Sequence, residues 1–198
     1  MALVMSVQNI NFYGPNEPYF EFSNFYSILD DKKFTLMIDE QSWQSTEHYY
    51  HAQKFLGSMA TVESREYSEL IRTADTPNKA LVLARQKILS GYAVNWKHSK
   101  NLPTKINDII RSFESKEIKI RPDWSEIKYD VMYKANLHKY KQNAKLRRRL
   151  LSTGEAQLTE HTDRDKYWGD GGDGSGLNKL GQILVQIRSE LILSKKML

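Results

Sequence analysis

The segment Ser45-Thr46-Glu47-His48-Tyr49-Tyr50-His51-Ala52-Gln53-Lys54-Phe55 holds a carboxylate, an imidazole and an amine at i, i+4 and i+7: Glu47, His51 and Lys54. On an α-helix these positions share one face. Such a face can present one pocket with a carboxylate for charge stabilisation or proton transfer and an amine for anion binding or nucleophilic attack. The alternative is a surface ion-pair stripe, and spacing alone favours it, because charged runs usually face water. A metal site fits poorly. The zinc-protease pattern needs His residues four apart with Glu directly after the first, whereas here the His pair is three apart and Glu precedes it.

A second constellation runs from Trp168 to Gly181 and holds six glycines. Glycine lets backbone N–H groups approach a ligand, and a following helix N-terminus favours a phosphate. Gly169 to Gly174 match a dinucleotide-loop spacing, but a Rossmann unit needs a further strand and a later acid, and this chain ends after one helix. A P-loop fails because Leu177 follows Gly176 where Lys belongs. Just upstream, Glu160-His161-Thr162-Asp163-Arg164-Asp165 supplies titratable groups suited to acid–base work, without the order of a calcium loop. Between Asp130 and Glu155 no acid occurs, while Lys134, Lys139, Lys141, Lys145, Arg147, Arg148 and Arg149 do. That run reads equally as a solvated helix face or as a phosphate-attracting patch, with Tyr133 and Tyr140 tilting it toward a nucleotide partner. Phe22-Ser23-Asn24-Phe25-Tyr26 offers either core aromatics or a stacking wall, with Asn24 bonding a base or ribose.

The elements that must position these groups are legible in outline. Val7 to Tyr13 reads as a strand ending at Gly14-Pro15, and Phe34 to Ile38 has strand character. Helices are expected over Thr46–Phe55, Glu63–Thr73 and Asn78–Ser90, the last capped by Thr76 with Pro77 in its first turn and Gly91 after its end. Asp123 and Glu126 have capping-box spacing and open a helix to about Tyr140, with Ile127, Val131, Ala135 and His138 as its stripe. Asn143–Leu151 is a further helix closed by Gly154, and Gln157–His161 reads as extended. Leu180, Ile183, Leu184, Ile187 and Leu191 mark an amphipathic terminal helix. The whole predicts a helix-rich α+β single domain over residues 1–198 with a small β-sheet.

The chain has 198 residues, 29 Lys+Arg against 24 Asp+Glu, and a pI near 9.2. A net charge of +5 leans toward an anionic partner. There is no Cys, which excludes thiolate nucleophiles, disulfides and Cys-based metal centres. The N-terminus has no signal-peptide pattern and no apolar run is long enough to span a membrane, so an intracellular protein is expected, cytoplasmic, or nuclear if the source is eukaryotic.

Taken in order, these pieces resemble the NADAR (YbiA-like) family. The resemblance rests on Phe22-Ser23-Asn24-Phe25, on Glu47-His48-Tyr49-Tyr50 with Ala52-Gln53-Lys54-Phe55, on Lys141-Gln142-Asn143 and Leu150-Leu151-Ser152-Thr153-Gly154, and on Trp168, Gly169, Gly171, Asp173, Gly176, Asn178, Leu180 and Gly181. It implies a compact α+β domain spanning about Asn11 to Leu191, and hydrolysis of a bond between a ribose C1 and an exocyclic amine. Two substrate classes follow from it, ADP-ribose on guanine in nucleic acid and phosphoribosylamino-pyrimidines of riboflavin synthesis. It assigns Glu47, Lys54 and Asp165 to catalysis, with Asp163 the other candidate carboxylate. Asn24, Phe25, His51, Asp163, Trp168, Gly169, Gly171, Asp173 and Asn178 are assigned to ligand binding, with no metal and no cofactor. Lys54 has two readings, a phosphate or proton contact and a Schiff-base nucleophile. Rival classes are an ADP-ribose reader that does not cleave and a nucleic-acid-binding protein using the basic run.

Overall fold

The computed structural model describes residues 8–89, 116 and 118–196. Strand β1 (Asn9–Phe12) pairs in parallel with β4 (Gln157–Glu160), in the register Asn9↔Gln157 to Phe12↔Glu160. The alternation of a strand turns Ile10, Phe12, Leu158 and Glu160 inward, while Asn9 and Gln157 face out. This places an acid on the core side of β4, opposite Phe12. Val7 and the end of the helix expected to reach Ser90 and Gly91 lie outside the described residues.

The strand expected over Phe34–Ile38 is reduced to β2 (Met37–Ile38), paired antiparallel with β3 (Gln41–Ser42). Asp39 and Glu40 form the turn with φ of 52° and 62°, the left-handed pair that suits a two-residue hairpin. The strand does not extend back to Thr35 because a side chain takes its backbone groups. Thr35 N donates to Asn143 Oδ1 at 3.0 Å and its carbonyl accepts from Asn143 Nδ2 at 2.6 Å.

Among the described residues, six α-helices pack around these ribbons. Helix α1 (Thr46–Gln53) starts at Ser45, whose Oγ accepts from His48 N. It packs against α2 (Val62–Arg72), α3 (Pro77–Leu89) and α4 (Trp124–Gln142). Thr61 and Thr76 cap α2 and α3 through Ser64 N and Lys79 N. Helix α5 (Ala144–Leu151) is closed by Gly154 at φ 58°, and α6 (Lys179–Lys196) buries Leu180, Ile183, Leu184, Ile187 and Leu191 against β4, α4 and α5.

Two expectations for α4 need correction. Asp123 does not cap with its side chain; the carboxylate pairs instead with Arg121, Nε at 2.6 Å and Nη2 at 2.8 Å. The buried stripe is also displaced, running through Val131, Met132, Ala135, Asn136, Lys139 and Tyr140. Ile127 and His138 are only half-buried. The stripe therefore carries a lysine, and Lys139 Nζ donates to the Ser23 carbonyl at 2.8 Å inside the core. Lys139 accordingly leaves the basic surface run to which its charge assigned it.

Candidate active site

Every residue of α1 from Thr46 to Ala52 is buried. The reading of this segment as a solvent-facing ion-pair stripe is therefore overturned. Three helices cover α1, so its polar side chains must find partners within the protein. His51 Nε2 lies 2.7 Å from Glu47 Oε1, one turn away. Burial holds His51 down to about 4, against the pull of Glu47, so the imidazole is neutral at neutral pH and its Nε2–H donates to the carboxylate. Burial pushes Glu47 up, but His51, Lys54 and Arg85 together outweigh it and keep the carboxyl below its usual range. Glu47 is thus ionised. The other face of the ring, His51 Nδ1, is buried with no partner among the described residues.

Lys54 follows the last turn of α1 and is buried. Its Nζ lies 5.2 Å from the Tyr50 ring centroid and 5.8 Å from that of Trp124. Burial pulls its ammonium down to about 8, Glu47 opposing and Arg85 assisting. Tyr50 meets Trp124 at a tilt of 56° and 4.9 Å between ring centroids, and Trp168 edge-on at 5.4 Å. An amine of reduced basicity therefore sits among aromatic faces beside an ionised carboxylate. His48, the other possible metal ligand of this segment, is turned away. Its Nδ1 meets Ser45 Oγ at 2.7 Å and its Nε2 the Ala74 carbonyl at 3.0 Å. Among the described residues no group of three or more His, Asp or Glu is placed to hold a metal ion.

The glycine-rich loop closes on the end of β4. Asp170 is its hub, with Oδ2 at 2.7 Å from His161 Nδ1 and Oδ1 accepting from Thr162 N and Gly172 N. Asp165 Oδ1 accepts from Tyr167 N and Trp168 N, both at 2.7 Å, and so sets the turn that presents Trp168. Gly169 is required by proximity, since a Cβ there would lie 2.6 Å from Thr162 and 2.8 Å from the Glu160 carbonyl. Asn178, at φ 46°, bonds β4 twice: its Oδ1 accepts from Glu160 N and its Nδ2 donates to the Leu158 carbonyl. Its side chain thus pins β4 rather than capping α6. Gly171 is half-buried, while Asp163 and Asp173 are exposed on the loop, Asp173 accepting from Ser175 N.

Asn24 is buried behind α1, its Oδ1 accepting from Thr46 Oγ1 and Asn136 Nδ2, both at 3.0 Å. Its carbonyl accepts from Glu47 N, which fixes the start of α1. Phe20, Phe22 and Tyr26 make edge-on ring contacts in the core, whereas Phe25 is half-buried and outside the hydrophobic cluster.

One group escaped the reading of the sequence, and a second was named there only within a run of titratable residues. Arg85 on α3 acts electrostatically on Glu47, His51 and Lys54 together; a lone arginine on a regular helix carries no local signal. Glu160 is 7 % exposed. Burial pushes its carboxyl up to about 8, reinforced by Glu47, Asp165 and Asp170. The alternation of β4 was the available clue, because it puts Glu160 on the same face as Leu158.

Comparison with known proteins bears on this arrangement. The NADAR domain family model matches residues 11–192. The chain belongs to the NADAR family. An NADAR relative named N-glycosidase YbiA, from Escherichia coli, is 35 % identical over 192 residues, covering 97 % of this chain and 94 % of that one. An N-glycosidase of Nostoc punctiforme is 31 % identical, covering 92 % of both chains. A riboflavin biosynthesis protein of Vibrio vulnificus is 32 % identical over 93 % of this chain but only 39 % of its own length. The NMR structure of E. coli YbiA superposes with a TM-score of 0.68 at 33 % identity, over 97 % of this chain and 89 % of that one. The α+β NADAR architecture expected from the sequence is therefore observed.

Proposed function

We propose that this NADAR protein is an N-glycosidase that removes ADP-ribose from guanine in nucleic acid. The observation that carries the reading is the buried triplet on α1, an ionised Glu47 held by neutral His51 beside Lys54 among the Tyr50 and Trp124 rings. Cleavage of a ribosyl C1–N bond builds positive charge at C1, which a carboxylate stabilises. Glu47 has that role. Lys54 is the nucleophile: a desolvated amine of lowered basicity is neutral in part near pH 7 and can form a Schiff base with the opened sugar. Asp165 supports the site by holding Trp168. Trp168 and Phe25 supply ring faces for base and sugar, the backbone at Gly169 and Gly171 lines the diphosphate side, Asp163 and Asp173 accept from ribose hydroxyls, and Asn24 and Asn178 hold the walls. The scheme needs no cofactor and no metal.

The basic surface favours nucleic acid over a small metabolite. A cavity of about 530 Å³ is lined by Lys145, Arg148 and Arg149 with Glu21, Tyr26, Leu146 and Ser152, and none of these belongs to the Glu47 cluster. Arg149 is paired with Glu21 at 2.8 Å, and Lys145 stands 3.6 Å from Asp31. The riboflavin-named Vibrio relative supports the second substrate class, phosphoribosylamino-pyrimidines.

The test is an oligonucleotide carrying ADP-ribosyl guanine, with release followed by mass spectrometry. Wild type should release ADP-ribose, and Glu47→Gln should bind but turn over about 10²–10⁴-fold more slowly. Borohydride added during turnover should trap ADP-ribose on Lys54. Binding without release would sink the hydrolase in favour of a reader. Release only from phosphoribosylamino-pyrimidines would move the substrate to the second class.

A further inference from the structure

Resting on the N-glycosidase reading, a second carboxyl enters the chemistry. An amine departs poorly from C1 unless its nitrogen is protonated; Glu47 is ionised, and Lys54 must already have lost its proton to attack C1, so neither supplies one in that step. Glu160 meets the requirement by position. It ends β4 on the inward face, its N–H held by Asn178 Oδ1 at 3.0 Å and its carbonyl by Asp170 N at 3.0 Å. No described residue donates a hydrogen bond to its carboxyl oxygens. Every charged neighbour that acts on it is an acid: Glu47 from α1, and Asp165 and Asp170 from the loop; on the β1 side it meets Phe12. A carboxylate so placed would be desolvated, without donors and repelled from two directions, so the group stays protonated.

We infer that Glu160 is the general acid of this site, donating its proton to the exocyclic nitrogen as the C1–N bond breaks. The bonding pair leaves with the nitrogen, the O–H proton of Glu160 completes the neutral amine, and C1 is taken by Lys54. Hydrolysis of that linkage consumes one water, and its proton restores Glu160. Two carboxyls whose surroundings drive their acidities apart, Glu47 downward and Glu160 upward, form the usual division between charge stabiliser and acid. Gly169 belongs to the same device, because a side chain there would push the loop off the Glu160 carbonyl.

The experiment uses the full chain and two substrates, an ADP-ribosyl aniline, whose nitrogen must gain a proton to leave, and an ADP-ribosyl pyridinium, whose nitrogen leaves as a neutral base. Wild type should cleave both. Glu160→Gln should be slowed about 10²–10³-fold on the aniline and little on the pyridinium. An equal loss on both substrates, or none, would overturn the role. Infrared difference spectra of wild type minus Glu160→Gln at pH 6.5, taken without substrate, should contain the band of a protonated carboxyl; its absence would overturn the role independently of turnover. A wild type that cleaves neither ADP-ribosyl compound, nor the ADP-ribosylated oligonucleotide, nor a phosphoribosylamino-pyrimidine would instead remove the N-glycosidase reading itself.

Discussion

At the scale of single residues, the site is governed by what burial does to charge. Glu47 survives as an anion because His51 donates to it across one helical turn. Glu160 has no such donor. The sign of its effect on stability follows: with an ordinary value of 4.5 and a folded value of about 8, the unfolded chain sheds a proton that the folded chain keeps. Stability should therefore fall as pH rises from about 4.5 to 8 and level off above. Glu160→Gln should lack this slope and exceed wild type by on the order of 3 kcal/mol at pH 8, read from urea midpoints at several pH values. Equal slopes in the two proteins would contradict the burial of a neutral acid. The triplet Glu47, His51 and Lys54 was legible as one helical face, but its direction was not, since an i, i+4, i+7 pattern of polar groups is the same whether it faces water or a pocket.

At the scale of elements, close approach sets the roles of two positions. Gly181 opens α6 so near β4 that a Cβ would lie 1.9 Å from the Leu158 carbonyl. Neither backbone can yield without separating the helix from the strand that carries Glu160. Gly181→Ala should cost about 3 kcal/mol or more, a Tm drop of roughly 6–12 °C for a chain of this size. A melting curve within 2 °C of wild type would refute the contact. On α4, burial lowers Lys139 to about 7, with Glu21 and Asp30 opposing. The unfolded chain keeps a proton that the folded one releases between about 7 and 10.5, so this lysine makes stability rise with pH over that window. Lys139→Met should abolish the rise, and the difference in chemical-denaturation midpoint between the two proteins across that window measures it. The amphipathic pattern of α6 was readable because its stripe is apolar. The stripe of α4 was misplaced because Asn136 and Lys139 are buried polar residues that no hydrophobic period reports.

At the scale of the whole molecule, the fold joins a first strand to one about 150 residues later and seats α1 among three helices. The surface then separates two regions, the Glu47 cluster and the basic cavity beside α5. If the cavity carries nucleic acid, Arg148→Gln with Arg149→Gln should reduce the salt slope of oligonucleotide binding by about 1.4, near 0.7 for each lost contact to a single strand. The loss should leave cleavage of an ADP-ribosyl mononucleoside unchanged. Anisotropy titrations at three salt concentrations decide it; an unchanged slope would return the cavity to the solvated helix face that the charge run also allowed.

By itself, the sequence determined the helices with caps and apolar stripes, the polar face of α1, the glycine-rich loop and the family, because each is written in neighbouring residues. Only the tertiary structure decided that α1 is buried, that Lys139 lies in the core and that Asn178 pins β4. It alone brought Arg85 and Glu160 to the site. These depend on which distant segments come together, and pairing over such separations is set by the packing of the whole chain, which no local period encodes.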